Sequence, residues 1–80
     1  MPKLTIQYFA ILREQRGISR EHVDTAAPTP AALYHELRAR HGFTLPPERI
    51  RAAINGDFVS ADAPLRDNDE LTFIPPVAGG

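Results

Sequence analysis

Cysteine is missing from all 80 residues, which excludes disulfides, thiolate metal sites and a side-chain persulfide together. Any sulfur carried by such a chain must sit on its backbone. Lysine occurs once, at Lys3, and the other eight of the nine basic residues are arginines. That leaves little capacity for lysine-linked chains of the protein on itself. No apolar run approaches the ~18 residues needed to span a membrane, and Met1-Pro2-Lys3-Leu4 lacks the apolar centre of a signal peptide, so the expected location is cytoplasmic. An excess of one charge is missing too. The net charge is −1 and the arginines are scattered along the chain, which argues against a nucleic-acid footprint and against a membrane surface as partner.

Catalytic apparatus is equally absent. No Ser/His/Asp order and no glycine-rich phosphate loop can be traced. His22, His35 and His41 lack metal-ligand spacing and read as solvated surface histidines, so no bound metal or cofactor is expected. Asp57, Asp62, Asp67, Asp69 and Glu70 sit in and beside turns, where carboxylates bond local backbone. Chemistry, if there is any, has to be supplied by partners.

What is present is a full set of signals for one small α+β domain over residues 1–80. Lys3 to Phe9 alternates polar and apolar, with Leu4, Ile6 and Tyr8 on one side, which predicts a half-buried strand. Ala10 to Arg16, closed by Gly17, predicts a short helical turn with Ala10, Ile11 and Glu14 at helical spacing. Arg20 to Thr25 reads as a second strand, antiparallel to the first because the connection is short. Thr29-Pro30 opens the one substantial helix, with Leu33 and Leu37 facing inward. Arg38, Arg40 and His41 suit its C-terminus before Gly42. After the break at Pro46-Pro47, Ile50 to Ile54, Asn55-Gly56 and Asp57 to Val59 form a hairpin with a favoured turn dipeptide. Pro64 to Asp69 is a polar turn, and Glu70 to Ile74 is the last strand, ended by Pro75-Pro76.

The order ββαβββ with a single helix buries its apolar faces by wrapping one mixed sheet around that helix, a β-grasp architecture. First and last strands then lie side by side in the centre. Residues 1–76 are expected to form the folded body, and Val77, Ala78, Gly79 and Gly80 an extended, flexible tail leaving the sheet's end. An average composition places Gly-Gly at a chain's end about once in 200 chains. Residues without a Cβ pass through a slot that any side chain would block, so Gly80 presents its carboxylate as a deliverable reagent. At ~3.3 Å per residue the four-residue tail reaches about 13 Å, and Pro75-Pro76 gives it a stiff, outward-aimed base. Phe9 and Ile74 fall out of phase with the inward residues of their strands, and Phe58 follows the hairpin turn. Together they predict an apolar docking patch at the tail's root.

These features carry a family likeness. From Tyr8-Phe9-Ala10-Ile11-Leu12-Arg13-Glu14, through Asn55-Gly56-Asp57-Phe58-Val59 and Leu65-Arg66-Asp67-Asn68-Asp69-Glu70, to Phe73-Ile74-Pro75-Pro76-Val77-Ala78-Gly79-Gly80, the chain resembles the small subunits of molybdopterin synthase, which are ubiquitin-like sulfur carriers. The resemblance implies that an adenylyltransferase akin to ubiquitin-activating enzymes consumes ATP to adenylate Gly80. A sulfur donor then displaces AMP to leave a thiocarboxylate. It further implies that the tail enters the large subunit of the synthase, in a heterotetramer, and gives its sulfur to cyclic pyranopterin monophosphate. Catalytic residues belong to the large subunit. Gly79, Ala78 and Val77 become the passage through the partner, and Phe9, Phe58, Ile74, Pro75 and Pro76 become its contacts. Three other readings remain open: a carrier for thiazole or cysteine synthesis, a ubiquitin-like modifier of lysines, and an interaction module with an idle tail.

Overall fold

Successive residues of an extended strand point to opposite faces, and that alternation organises the molecule. A computed structural model describes residues 3–76. Met1, Pro2 and the expected tail, Val77, Ala78, Gly79 and Gly80, lie outside the described residues. Strand β1 (Lys3–Tyr8) buries Leu4, Ile6 and Tyr8, as its pattern predicts. It ends at Tyr8, one residue earlier than expected, and Phe9 and Ala10 link it to helix α1 (Ile11–Arg16). Strand β2 (Arg20–Asp24) returns antiparallel, with Leu4 opposite Val23 and Ile6 opposite Glu21. Gly17, at φ 88°, supplies the left-handed turn that closes α1.

Helix α2 (Pro30–His41) opens as expected. Thr29 accepts a hydrogen bond from the Ala32 N–H at 3.2 Å, and Pro30 occupies the first turn. Its buried face is Leu33, Tyr34 and Leu37. After a 3-10 turn at Pro47–Arg49, strands β3 (Arg51–Ile54) and β4 (Asp57–Val59) pair through Asn55-Gly56. Both turn residues have positive φ, 52° and 91°, the geometry that matches the twist of a tight hairpin. Strand β5 (Glu70–Ile74) runs parallel to β1 and antiparallel to β3. The sheet order is β2-β1-β5-β3-β4, a mixed five-stranded sheet with the first and last strands in its centre. This is the β-grasp arrangement.

Between sheet and helix lies one core containing Leu4, Ile6, Tyr8, Leu12, Leu33, Tyr34, Leu37, Phe43, Ala52, Leu71 and Phe73. Aromatic rings form its middle. Tyr34 stacks on Phe43 at 5.8 Å and meets Phe73 edge-on at 5.3 Å, while Tyr8 meets Phe43 edge-on at 5.8 Å. Each such pair contributes roughly 0.5–1.5 kcal/mol beyond the area it buries. Phe43 comes from the residue after the helix cap and reaches back into the core, which helical spacing alone does not indicate.

Four local expectations are corrected. Leu12 is the buried residue of α1 and Ile11 is exposed, because the helix starts after Ala10 and turns Leu12 toward the sheet. Ile50 precedes β3 as the C-cap of the 3-10 turn instead of opening the strand, and Thr25 follows β2 instead of closing it. His41 is half-buried against the Phe43 ring at 5.8 Å, and burial, its first cause, lowers its pKa. Of the turn carboxylates, Asp69 bonds local backbone as expected, accepting from the Arg66 N–H at 2.8 Å, whereas Asp67 accepts from the distant Lys3 N–H at 2.7 Å and Glu70 pairs with Arg20. No helix among the described residues is long and apolar enough to cross a membrane.

Candidate functional site

The face of the sheet turned away from α2 carries the site, and strand register sets out its residues in rows. On β1 and β5, Tyr8 pairs with Phe73 in the core, so the next residues, Phe9 and Ile74, emerge together at the same end of the sheet. The antiparallel β1/β2 register pairs Gln7 with Arg20, and the Tyr8 N–H donates to the Ser19 carbonyl at 2.8 Å. Continuing that register by one step puts Ile18 opposite Phe9. On the other side, Ile74 pairs with Arg51 of β3. One row inward, Thr72 pairs with Ala53, and Ala53 with Phe58.

Exposure divides these residues. Phe58 is 66% exposed, Phe9 42% and Ile18 40%, an unusual concentration of uncovered apolar surface for so small a domain. Ile74 is half-buried. Ala53 is buried although it faces away from the helix, with Phe58 opposite it on one side and Thr72 on the other. Phe58, Ile74, Pro75 and Pro76 line an open groove of about 410 Å³, whose rim is Glu48, Arg49 and Arg51. Pro75 is buried and Pro76 exposed. The docking residues expected from the sequence thus divide into a groove holding Phe58, Ile74, Pro75 and Pro76, and Phe9 at the neighbouring strand end. Gly80, Gly79, Ala78 and Val77 lie outside the described residues.

Three features of the site are not evident from spacing. Ile18 follows a glycine in a loop and gains meaning only from pairing. Arg49 and Arg51 stand on either side of Ile50 and reach the groove because the 3-10 turn delivers β3 beside β5. Ala10 has φ 52° and ψ −125°, backbone angles that a residue with a Cβ rarely adopts. This kink separates Phe9 from α1.

Beneath Phe9 the strand end is held by a compact polar lock. The Tyr8 hydroxyl donates to Glu21 Oε2, while Arg16 donates to both Glu21 oxygens, Nε to Oε2 at 2.9 Å and Nη2 to Oε1 at 2.8 Å. The guanidinium holds the Glu21 carboxyl below its ordinary range despite burial, which acts the other way. Burial, followed by the Glu21 hydrogen bond, pushes the Tyr8 phenol well above its usual range. The Tyr8 hydroxyl is thus held as a hydrogen-bond donor to Glu21. Among the described residues no three His, Asp or Glu side chains gather as a metal site. The arrangement suits docking: an apolar sheet end beside the point where residues 77–80 begin.

Comparison with known proteins bears on the family and the fold. A model of the ThiS family matches residues 6–80. The molybdopterin synthase sulfur carrier subunit of Escherichia coli (strain K12) is 38% identical over 80 residues, covering 96% of this chain and 99% of that one. The putative molybdopterin converting factor subunit 1 of Pyrococcus furiosus superposes with a TM-score of 0.77 at 25% identity, covering 96% of this chain and 100% of that one. SAMP1 of Haloferax volcanii superposes with a TM-score of 0.75 at 25% identity, covering 98% and 99% of the two chains. With family model, sequence relatives and fold in agreement, the chain belongs to the ThiS family of ubiquitin-like sulfur carriers and is a homologue of the molybdopterin synthase sulfur carrier subunit.

Proposed function

We propose that this protein carries sulfur on Gly80 for the synthesis of molybdopterin. In the first step the Gly80 carboxylate oxygen attacks the α-phosphorus of ATP on an activating adenylyltransferase, forming an acyl-adenylate and releasing pyrophosphate. Hydrosulfide released by the sulfur donor then attacks the acyl carbon, the C–O bond to AMP breaks, and a thiocarboxylate remains. The order follows from leaving-group chemistry, because a carboxylate is a poor acyl donor at neutral pH and AMP departs readily. The thiocarboxylate sulfur next attacks a side-chain carbon of the cyclic pyranopterin monophosphate held by the large subunit. A C–S bond forms as a C–O bond at that carbon breaks, and its oxygen leaves on the phosphate or as water. Water cleaves the acyl–sulfur bond, so the carboxylate is restored and the sulfur stays on the pterin.

The observation that carries this reading is the near full-length match to a molybdopterin synthase sulfur carrier subunit. The site geometry supports it. Pro75 is buried just after the central strand β5 and lines the groove with Ile74 and Phe58, and Phe9 stands at the same end of the sheet as Ile74. A partner that covers this end of the sheet receives the last four residues directed into its own interior. The body is the handle and the tail the reagent. All catalytic groups belong to the partners, consistent with a chain whose most perturbed titratable group, Tyr8, is buried as a structural donor.

Intact mass spectrometry of protein from its native host tests the proposal. The expected product is the chain with one oxygen exchanged for sulfur, lost again on incubation with the large subunit and its pterin substrate. A chain that stays a carboxylate in the presence of ATP, activating enzyme and sulfur donor overturns it. The alternative of a lysine-linked modifier draws on the fold match to SAMP1, named as an archaeal modifier in a related structure, but at lower identity than the Escherichia coli carrier. It predicts isopeptide adducts that survive reducing gels. The carrier reading predicts none.

A further inference from the structure

Among the described residues the side chains of Arg13, Arg49, Arg51 and Arg66 enter no ion pair or hydrogen bond, and of these Arg49 and Arg51 line the groove. Four arginines engage their guanidinium groups internally: Arg16 on Glu21, Arg20 on Glu70, Arg40 on Glu36, and Arg38 on the Phe43 carbonyl. Arg49 and Arg51 are both exposed. They flank the groove floored by Phe58, Ile74 and Pro76, with Glu48 as the one acid on the rim. Register holds Arg51 directly beside Ile74, the last residue of β5. The apolar row thus has a neutral end, at Ile18 and Phe9, and a cationic end at the hairpin.

We infer that Arg49 and Arg51 are specificity residues that read carboxylates on the partner covering the groove, which makes the docking face directional. The occupant is the sulfur-accepting large subunit, so the inference rests on the proposed function. Its surface must present an apolar side chain to the groove and at least one Asp or Glu to the guanidinium pair. Three physical points support the assignment. Arginine stays charged at any physiological pH and grips a carboxylate through two parallel N–H donors. An apolar patch alone fixes neither rotation nor partner, whereas a charge pair at one end penalises the reversed orientation and like-charged surfaces. Covering Ile74 also brings the partner against Arg51, so its guanidinium meets either a matching acid or an unfavourable desolvation.

The rarity of lysine supplies a clean test. The chain has one lysine, Lys3, at the opposite end of β1 from Phe9. In full-length Arg51→Lys, a carbodiimide couples the new amine to any carboxylate in contact with it, and peptide mapping separates that link from one at Lys3 or the N-terminus. The complex with the large subunit of the same organism is expected to yield a link from position 51 to an Asp or Glu. In parallel, Arg49→Glu/Arg51→Glu is expected to weaken binding by about 10- to 100-fold near 50 mM salt, with the deficit shrinking toward about 500 mM. Both positions are exposed, so melting curves should match the parent and confirm a folded variant. Undiminished binding by the double reversal, or a complex with no link at position 51, overturns the inference and leaves the sulfur-carrier reading intact. An unaltered chain that fails to bind the large subunit overturns both.

Discussion

Two pairs of neighbouring residues divide this molecule between stability and recognition. Tyr8 and Phe73 are paired across the central parallel ladder and lie in the core, 1% exposed each. The residues immediately after them, Phe9 and Ile74, belong to the opposite face, one 42% exposed and the other half-buried. All four are large and apolar, so hydrophobicity does not distinguish them. Position in a two-residue alternation does. The core pair is enclosed by Tyr34, Phe43 and Leu71. The outer pair is only partly covered among the described residues, and the same face also carries polar pairs: Thr5 bonds His22 at 3.0 Å and Arg20 pairs with Glu70 at 3.3 Å. Exposed aromatic side chains beside internally paired polar ones are a common feature of protein contact surfaces.

The largest effect that separates the pairs is expected from Phe73→Ala. It leaves a cavity against Tyr34 and should cost about 3–5 kcal/mol, read as a large fall in the denaturant midpoint. Phe9→Asp on the outer face should change folding stability by no more than about 0.5 kcal/mol yet weaken binding to the large subunit by about 2 kcal/mol or more, measured by titration calorimetry. Equal destabilisation by the two substitutions would erase the distinction. Glu21→Gln tests the lock that fixes the β1 end, and should cost about 1–3 kcal/mol at neutral pH. The Glu21 carboxyl has a lowered pKa in the folded protein. Its contribution is therefore complete above the ordinary carboxylate range and lost as pH falls through the folded value. Melts from about pH 6 to about pH 3 should show the parent losing stability toward the variant, so that the gap closes in acid. The smallest effect is expected from Ala10→Gly, which relieves the positive-φ kink after Phe9. It should raise stability by up to about 1 kcal/mol, with any loss in partner affinity reporting on how firmly Ala10 aims Phe9.

Much of this was legible before any coordinates. Leu4, Ile6 and Tyr8 announce β1 by alternation, Thr29-Pro30 announces α2 by cap chemistry, and Asn55-Gly56 announces the hairpin by its need for two positive φ angles. Such signals work because they are local: a period, a donor without a partner, or a backbone region closed to most residues. Phe43 was hidden because it lies past its helix cap, and its burial depends on Tyr8 and Tyr34 arriving from elsewhere. Ile11 and Leu12 are adjacent apolar residues in a helix of barely two turns, too short for periodicity to choose between them. Ala53 is buried on the open face only because Phe58 and Thr72 flank it. Ile18, Arg49 and Arg51 have unremarkable sequence surroundings, and pairing alone brings them to the site.

Composition and local pattern by themselves therefore determined the element order, the one substantial helix, the lack of thiol chemistry and the concentration of interest at residues 74–80, since each depends on one residue or a short period. Only the tertiary structure decided which apolar side chains became core and which became surface for a partner, and which two arginines came to stand beside that surface. The reason is geometric. Strands far apart in the chain must pair before their ends define a shared face, and no stretch of sequence holds the register that brings Arg51 beside Ile74 or Phe9 level with it.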